Sequence, residues 1–238
     1  MGSIPTELTT SRSYLSSRLH AITFPKTTSD PMPSAPPISS SQVIWLQDGY
    51  TAAWHREVAA PPASLTGFER AVTEQHLANF ELWHAEDAAR TPGASDQDLA
   101  RIKRFIDTAN QRRNDLTEQC DVFLLNFLSQ QDLPAPGAEL HSESPGMILD
   151  RLSILSLKLF HTREEIARPE APPGHGERNQ QRLHILIEQR DDLAGSLDRL
   201  WQEVLSRQRR FKLYRQLKMY NDPALNPAVY SARSKTSP

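Results

Sequence analysis

The chain has 238 residues, of which 38% are apolar, and its formal net charge at pH 7 is −2. This length fits one or two domains, and the balanced charge excludes a global basic field that would draw nucleic acid or an anionic membrane surface. The single cysteine, Cys120, excludes an internal disulfide, and no apolar run reaches the roughly 18 residues of a membrane span. We therefore expect a cytoplasmic protein with Cys120 in its core, and no cofactor is indicated.

The two ends of the chain differ in composition from its middle. Residues 1–41 are rich in Ser, Thr and Pro and lack periodic apolar positions, which predicts a disordered extension. Met32 lies inside this extension and is a candidate for the true start. Residues 231–238 form a short polar stretch and are predicted to be a flexible tail. The remaining residues, 42–230, are predicted to form a single domain.

Helical periodicity runs through this domain. The predicted helices cover 42–57, 66–90, 95–127, 144–168, 177–207 and, as a shorter last helix, 209–221. Thr66 and Glu69 have the spacing of a capping box at the start of the second helix. Ser95 and Asp98 repeat that spacing at the start of the third, and Ser144 is a candidate N-cap for the fourth. Five to six helices are therefore expected.

The connections between these helices indicate how they pack. They are roughly 5 to 17 residues long, which is compatible with antiparallel neighbours in a bundle. Sustained period-two alternation is absent from the sequence, and no Asn-Gly or Asp-Gly pair joins two alternating segments, so no strands are expected. About 190 ordered residues can bury roughly 70% of their unfolded surface. The sequence therefore predicts an all-α antiparallel helical bundle.

Charged residues interrupt the apolar seams of three predicted helices. Arg113 falls in the middle of the third helix and Arg190 in the middle of the fifth, while the otherwise apolar fourth helix carries Asp150 and His161. A buried lone charge is costly, so such residues must pair or line a wet cavity. The pattern predicts a polar layer inside the bundle. This layer is either an ion-pair network that sets helix register or a pocket for a ligand or for catalysis.

The stretch FELWHAEDAAR, residues 80–90, concentrates acid–base groups in the second helix. His84 and Asp87 lie one turn apart, and His161 with Glu164 repeats the arrangement on the fourth helix. These side chains could bind a metal, but the paired Glu-x-x-His motifs of di-iron bundles are incomplete, and no metal is predicted. The alternative for His84 is a partly buried histidine hydrogen-bonded to a carboxylate.

Basic and aromatic residues alternate near the C-terminus in RQRRFKLYRQLKMYND. Lys212, Arg215 and Lys218 are the candidates there for binding phosphate groups. The alternative is that this segment packs against the acidic residues of 69–121. Nucleic acid is an unlikely partner because the whole chain is not basic, and a protein partner remains an alternative.

Four blocks of sequence resemble a bacterial family known as domain of unknown function 4254. They are NFELWHAEDAAR, IKRFIDTANQRRNDLTEQCD, SPGMILDRLSILSLKLFH and FKLYRQLKMYNDPALNP. The resemblance covers about residues 42–230 and implies an all-helical fold. No activity is assigned to the family, so it implies no catalytic residues, although its members often accompany glycosyltransferases of cell-envelope polysaccharide synthesis. Ser144 stands where the family pattern has Thr, and either residue caps a helix.

Two functions from different classes follow. The first is a binding or accessory protein for a phosphate-bearing ligand such as a nucleotide sugar, held by a basic set of side chains. That set is Arg113, Arg190, Lys212, Arg215 and Lys218. The second is an enzyme, with His84 or His161 as general base and Asp87 or Asp150 orienting it, with or without a metal. The first is favoured because no complete catalytic constellation can be recognised from spacing.

Overall fold

The computed structural model describes residues 38–65, 67–217 and 224–227. Within these ranges the protein is an all-α bundle of five helices. They are α1 (Ser40–Trp54), α2 (Gly67–Ala88), α3 (Asp96–Ser129), α4 (Pro145–Ile166) and α5 (His175–Leu205). The predicted fold class is confirmed, whereas the antiparallel order of the helices stays a prediction. The predicted tail, and the predicted extension up to residue 37, lie outside the described residues. Residues 38–41 of that predicted extension are described, with Ile38 buried and α1 beginning at Ser40.

The predicted N-caps of α3 and α4 are present. The Ser95 hydroxyl accepts a hydrogen bond from the Asp98 amide at 3.1 Å, and the Ser144 hydroxyl accepts one from the Met147 amide at 3.4 Å. Each cap satisfies a backbone donor that has no partner within the first turn of its helix. Thr66, the predicted cap of α2, lies outside the described residues. Local sequence therefore sets where these long helices begin.

The predicted helix over 209–221 is wrong for residues 209–217, where no helix forms. Arg207 adopts a left-handed conformation with φ of 65°, which ends the helical path after α5. The chain then forms strand β2 (Arg209–Arg210), which pairs in parallel with β1 (Glu139–Leu140). Two-residue strands are too short to produce a period-two pattern, which explains why the sequence showed none. Residues 218–221 lie outside the described ranges.

Helix α4 lies at the centre of the bundle and contacts each of the other four helices. Leu149, Leu152 and Leu159 are fully buried on it. Burying a leucine side chain contributes roughly 1.5–3 kcal/mol, so this apolar helix supplies much of the driving force for folding. Cys120 of α3 is also fully buried, and burial raises the pKa of its thiol. The predicted core position of Cys120 is confirmed. None of the helices in the described ranges is long and apolar enough to span a membrane.

The start of α4 is hydrogen-bonded to Asp121 of α3. The Asp121 carboxylate accepts hydrogen bonds from the Ser144 hydroxyl at 2.5 Å and from the Gly146 amide at 2.7 Å. A negative charge at a helix N-terminus is favoured by the helix dipole. The backbones approach so closely that a Cβ at Gly146 would lie 2.5 Å from the Thr117 carbonyl oxygen. This contact positions α4 and the polar side chains that project from it.

Candidate functional site

Asp150 of α4 is the centre of a buried polar network between helices. Its carboxylate accepts hydrogen bonds from Gln75 Nε2 at 2.6 Å and from Asn79 Nδ2 at 2.9 Å, both on α2. Arg113 of α3 donates to both carboxylate oxygens, with Nε 2.7 Å from Oδ1. These bonds raise the pKa of the arginine. Arg113 and Asp150, two of the predicted functional residues, therefore meet in one ion pair.

His76 extends this network towards α1. The Nδ1 atom of its ring lies 2.7 Å from the Ser153 hydroxyl, and Nε2 lies 2.9 Å from the Thr51 hydroxyl. The ring is completely buried and stacks on Trp54. Burial lowers the pKa of His76 to about 3, because water cannot solvate the imidazolium there. The histidine is therefore neutral at pH 7, and the bundle contains the polar interior layer predicted from the sequence.

A cavity of about 440 Å³ opens beside Asp150 and Arg113, and we call it the α3–α4 cavity. Its walls include four carboxylates and two guanidinium groups. They are Glu118, Asp121, Glu143 and Asp150, with Arg113 and Arg151. Arg151 pairs with Glu143 at 2.7 Å, as Arg113 pairs with Asp150. The lining therefore has more negative than positive charge, and both guanidinium groups already have an acidic partner.

The C-terminal segment, residues 206–217, forms one wall of the α3–α4 cavity. Phe211, only 2% exposed, anchors this segment in the core. Tyr214 and Gln216 then line the cavity, and the backbone amide of Gln216 donates a hydrogen bond to the Glu118 carboxylate at 2.9 Å. Arg215 also pairs with Glu118, at 3.4 Å. The acid–base packing that was the alternative for this segment is thus present for Arg215.

Two other predicted cations, Lys212 and Arg190, are not part of the Asp150 network. Lys212 is exposed, and Lys218 lies outside the described residues. Arg190 of α5 pairs with Asp48 of α1 at 2.8 Å. The structure therefore places Arg113 in the wall of the α3–α4 cavity and pairs Arg215 with Glu118 of that wall. Arg190 is in a separate ion pair between α1 and α5.

His84 and His161 belong to a second group of polar side chains, the histidine cluster, which His55 completes. One ring nitrogen from each of the three lies within 4.8 Å of the other two. His55 is the C-cap residue of α1, His84 is on α2 and His161 is on α4. Phe80 and Leu157, both buried in one apolar cluster, occupy the next turns of α2 and α4 towards the Asp150 network. The predicted polar rows therefore divide into two separate groups.

Asp87 and Asp150, the carboxylates predicted to orient the catalytic histidine, are not hydrogen-bonded to His161 in the structure; Glu164 is. Asp87 is exposed, and Glu164 rather than Asp87 is the hydrogen-bonded carboxylate of the cluster, 2.9 Å from Nδ1 of His161. Asp150 is engaged with Arg113. The sequence interpretation missed His55 although it fell inside the predicted helix 42–57, because spacing along one helix does not show which residues of other helices a side chain will meet. The only sequence signal for it was a histidine directly after Trp54.

A second cavity, of about 390 Å³, borders the histidine cluster at His161. Trp83 lines this cavity and stacks almost parallel on the His161 ring, with centroids 4.9 Å apart. Lys158 and Arg182 bring positive charge to the wall, and Glu165 brings negative charge. The cavity is therefore lined by both aromatic and charged side chains.

Comparison with known proteins adds a family but no activity. No curated protein and no solved structure gives a match. A family model described as Protein of unknown function (DUF4254) matches residues 69–213. The matched range starts in α2 and ends in the C-terminal segment, so it contains Asp150, Arg113, His84 and His161 but not His55. Because this match covers more than half of the chain, the protein belongs to the DUF4254 family.

Proposed function

We propose that the protein is a binding protein whose ligand is a phosphate-bearing sugar derivative such as a nucleotide sugar, held in the α3–α4 cavity. The observation that carries this proposal is the cavity itself. Its volume of about 440 Å³ falls within the range of small-molecule sites, and polar groups from α3, α4 and the C-terminal segment converge on it. This ligand class agrees with a role in cell-envelope polysaccharide metabolism.

Amide groups in the cavity support a ligand rich in hydroxyl groups. Asn110 and Asn114 line it, and within the described residues their side-chain amides form no hydrogen bond to protein. Each amide offers two donors and an acceptor, which matches a hydroxyl group that both donates and accepts. The ring of Tyr214 at the wall offers an apolar surface to the face of a sugar.

The distribution of charged side chains favours a position at the cavity mouth for the phosphate of such a ligand. Four carboxylates line the interior, and a phosphate beside them would be repelled. Arg215 is 63% exposed and bonds only weakly to Glu118, so its guanidinium is accessible to an anion. Lys212 is exposed on the same segment and can add positive charge. Lys218 was predicted for this role too, and it remains part of the proposal.

Isothermal titration calorimetry on the full chain tests this function. The probes are a panel of free sugars, sugar phosphates, nucleotides and nucleotide sugars. Asn114→Ala should weaken binding of the sugar-bearing probes by about 5- to 10-fold, the value of a hydrogen bond of about 1–1.5 kcal/mol. Arg215→Ala should weaken the phosphate-bearing probes selectively. Arg101→Ala is the matched control, because Arg101 is exposed on α3 and forms its ion pair with Asp98 one turn away.

Two outcomes contradict this function. In the first, no probe of the panel binds to a protein that circular dichroism shows to be helical. In the second, a probe binds, but Asn114→Ala and Arg215→Ala change its affinity no more than Arg101→Ala does. The second outcome would place the ligand elsewhere on the molecule.

A second candidate function is an enzyme that uses the histidine cluster for acid–base chemistry. The observation in its favour is the pair formed by His161 and Glu164, whose 2.9 Å hydrogen bond orients the imidazole. Turnover of a nucleotide sugar by the purified protein, lost in a folded His84→Ala variant, would establish this function. Persistent turnover in that variant would remove the histidine cluster from consideration.

A further inference from the structure

We propose that His55, His84 and His161 bind one divalent transition-metal ion, with Zn²⁺ as the ion that fits best. This proposal is independent of any ligand in the α3–α4 cavity. It also departs from the sequence expectation that no metal binds. The sequence offered His84 and His161 with two carboxylates, whereas the folded protein brings a third imidazole, from the end of α1, to the same point.

The geometry of the histidine cluster suits a single ion. One nitrogen from each ring lies within 4.8 Å of the others. Zinc with bond lengths of about 2.0–2.1 Å to tetrahedral nitrogen ligands needs these nitrogens about 3.3 Å apart. Because each imidazole can turn about two side-chain bonds, modest rotations bring the three nitrogens to that separation. The ligands come from three helices, so binding would join α1, α2 and α4.

In two of the three rings, a hydrogen bond made by Nδ1 leaves Nε2 available to bind a metal. The Nδ1 atom of His55 lies 2.7 Å from the Thr51 carbonyl oxygen, which can only accept, so Nδ1 carries the proton. In His161, Nδ1 likewise donates to the Glu164 carboxylate. In the neutral form of each ring, Nε2 therefore carries a lone pair. Metal-binding histidines in proteins are oriented by bonds of this kind to a carbonyl or a carboxylate.

The Nε2 atom of His161 lacks the hydrogen-bond partner that its burial requires. Nε2 of His161 is inaccessible to solvent and has no hydrogen bond within the described part of the chain. A buried polar atom without a partner costs about 1–3 kcal/mol, so a structure retains one only for a reason. A metal ion bound to this lone pair removes the cost. Glu164, behind the same ring, contributes negative charge that favours a cation.

The imidazole ligands determine which metals fit the site, and the neighbouring aromatic rings determine how well it is shielded from water. Three imidazoles suit zinc, copper, nickel or iron, whereas magnesium and calcium prefer oxygen ligands. Phe160 stacks on the His55 ring at 4.0 Å, Phe80 contacts His84, and Trp83 stacks on His161. These rings exclude water from the sides of the site. Three protein ligands leave one position of a tetrahedral ion open, as in catalytic rather than structural zinc sites.

Metal titration of the full, chelator-treated chain tests this proposal. Co²⁺ is the first probe, because a tetrahedral Co²⁺ ion absorbs strongly in the visible range. Zn²⁺ is then added in competition and followed by calorimetry. We expect a visible spectrum that saturates at one Co²⁺ per chain and disappears as Zn²⁺ displaces it. X-ray absorption of the zinc form should show three imidazole nitrogens at about 2.0–2.1 Å.

Five variants separate this site from incidental binding. Replacing Glu164 by Gln should lower the Zn²⁺ affinity by about 10- to 100-fold, because it replaces the charged partner of His161 by a neutral one. His55→Gln, His84→Gln and His161→Gln should each lower it further. His184→Gln, which removes an exposed histidine of α5, should leave it unchanged. Circular dichroism of the metal-free variants checks that they fold. If the histidine variants do not fold, the Zn²⁺ affinity of Glu164→Gln and the X-ray absorption spectrum of the wild type serve as the test.

The proposal is overturned by any of three results. In the first, neither Co²⁺ nor Zn²⁺ binds at one ion per chain. In the second, the His55, His84, His161 and Glu164 variants change the affinity no more than His184→Gln does. In the third, X-ray absorption of the zinc form shows no imidazole ligands. In each of these cases the three histidines are a packed group of rings within the aromatic side chains of the bundle.

Discussion

Gly146, in the first turn of α4, determines how closely this helix approaches α3. Alanine normally stabilises a helix relative to glycine, but here its Cβ would lie 2.5 Å from the Thr117 carbonyl oxygen and 2.9 Å from Asp121 Oδ1. We therefore expect Gly146→Ala to lower the free energy of unfolding by about 1–3 kcal/mol, the usual cost of overpacking. Urea denaturation followed by circular dichroism measures this change.

Gly195 provides the matched control for Gly146. It is exposed in the interior of α5, and a Cβ there would contact nothing within 4 Å. Gly195→Ala should raise the free energy of unfolding by about 0.5–1 kcal/mol, because alanine loses less backbone entropy on folding. Equal effects of the two substitutions would show that the close approach between α3 and α4 is absent in solution.

His76 makes stability depend on pH in a direction that can be worked out. Burial lowers its pKa from 6.5 to about 3, so between these values the unfolded chain binds a proton that the folded chain does not. This histidine therefore contributes a loss of about 1.4 kcal/mol for each pH unit as the pH falls from 6.5 towards 3. Asp121, whose pKa burial raises to about 6, has the opposite effect between pH 6 and 3.8.

Comparison with His76→Gln isolates the contribution of this residue, because Asp121 affects both proteins equally. The difference in free energy of unfolding, wild type minus variant, should fall by about 1.2 kcal/mol between pH 6 and pH 5, because the unfolded histidine is already partly protonated at pH 6. Urea denaturation at a series of pH values measures it. A difference that does not vary with pH would mean that His76 is protonated in the folded protein, or that water reaches it.

At the scale of helices, α1 is capped from outside its own sequence. Ser39, its N-cap residue, makes no side-chain cap, and Asp198 of α5 instead accepts hydrogen bonds from the Ser40 amide at 2.9 Å and from its hydroxyl at 2.6 Å. Asp198→Ala should therefore lower the free energy of unfolding by about 1 kcal/mol, as loss of a cap does. Thermal denaturation measures this loss.

Asp192 is the control for Asp198, since it is an exposed acid on the same helix. Asp192→Ala should change stability by less than about 0.5 kcal/mol, the usual range for surface substitutions. If Asp198→Ala proves equally neutral, solvent satisfies the first turn of α1 and the contact between the two helices contributes little.

At the scale of the whole molecule, the C-terminal segment connects the core to the α3–α4 cavity. Phe211 anchors it, and Tyr214 and Gln216 follow as part of the cavity wall. Phe211→Ala should lower the free energy of unfolding by about 3–5 kcal/mol and should also weaken any ligand bound in the cavity. Chemical denaturation and calorimetry with the bound probe measure the two effects.

Leu217 belongs to the same segment but is 78% exposed, so Leu217→Ala should change neither quantity. Loss of stability in Phe211→Ala with unchanged ligand affinity would show that the segment anchors the fold without forming the binding site. Loss of neither would contradict the burial of Phe211.

Periodicity and capping are local properties, and they predicted the parts of the fold that depend on local interactions. The five helices and the Ser95 and Ser144 caps could all be derived from residue types three or four positions apart. The predicted helix after residue 209 failed because a tertiary contact decided it. There the chain pairs with Glu139–Leu140, which lie some 70 positions earlier.

The same division applies to the candidate sites. The sequence alone determined that polar side chains enter the bundle interior, because charged residues interrupt otherwise apolar helix faces. Only the tertiary structure decided their partners. Arg113 joins Asp150, whereas Arg190 joins Asp48, and His55 completes a cluster with His84 and His161. The physical reason is that periodicity defines which face of a helix is buried, while packing of side chains sets the rotation and height of one helix against another.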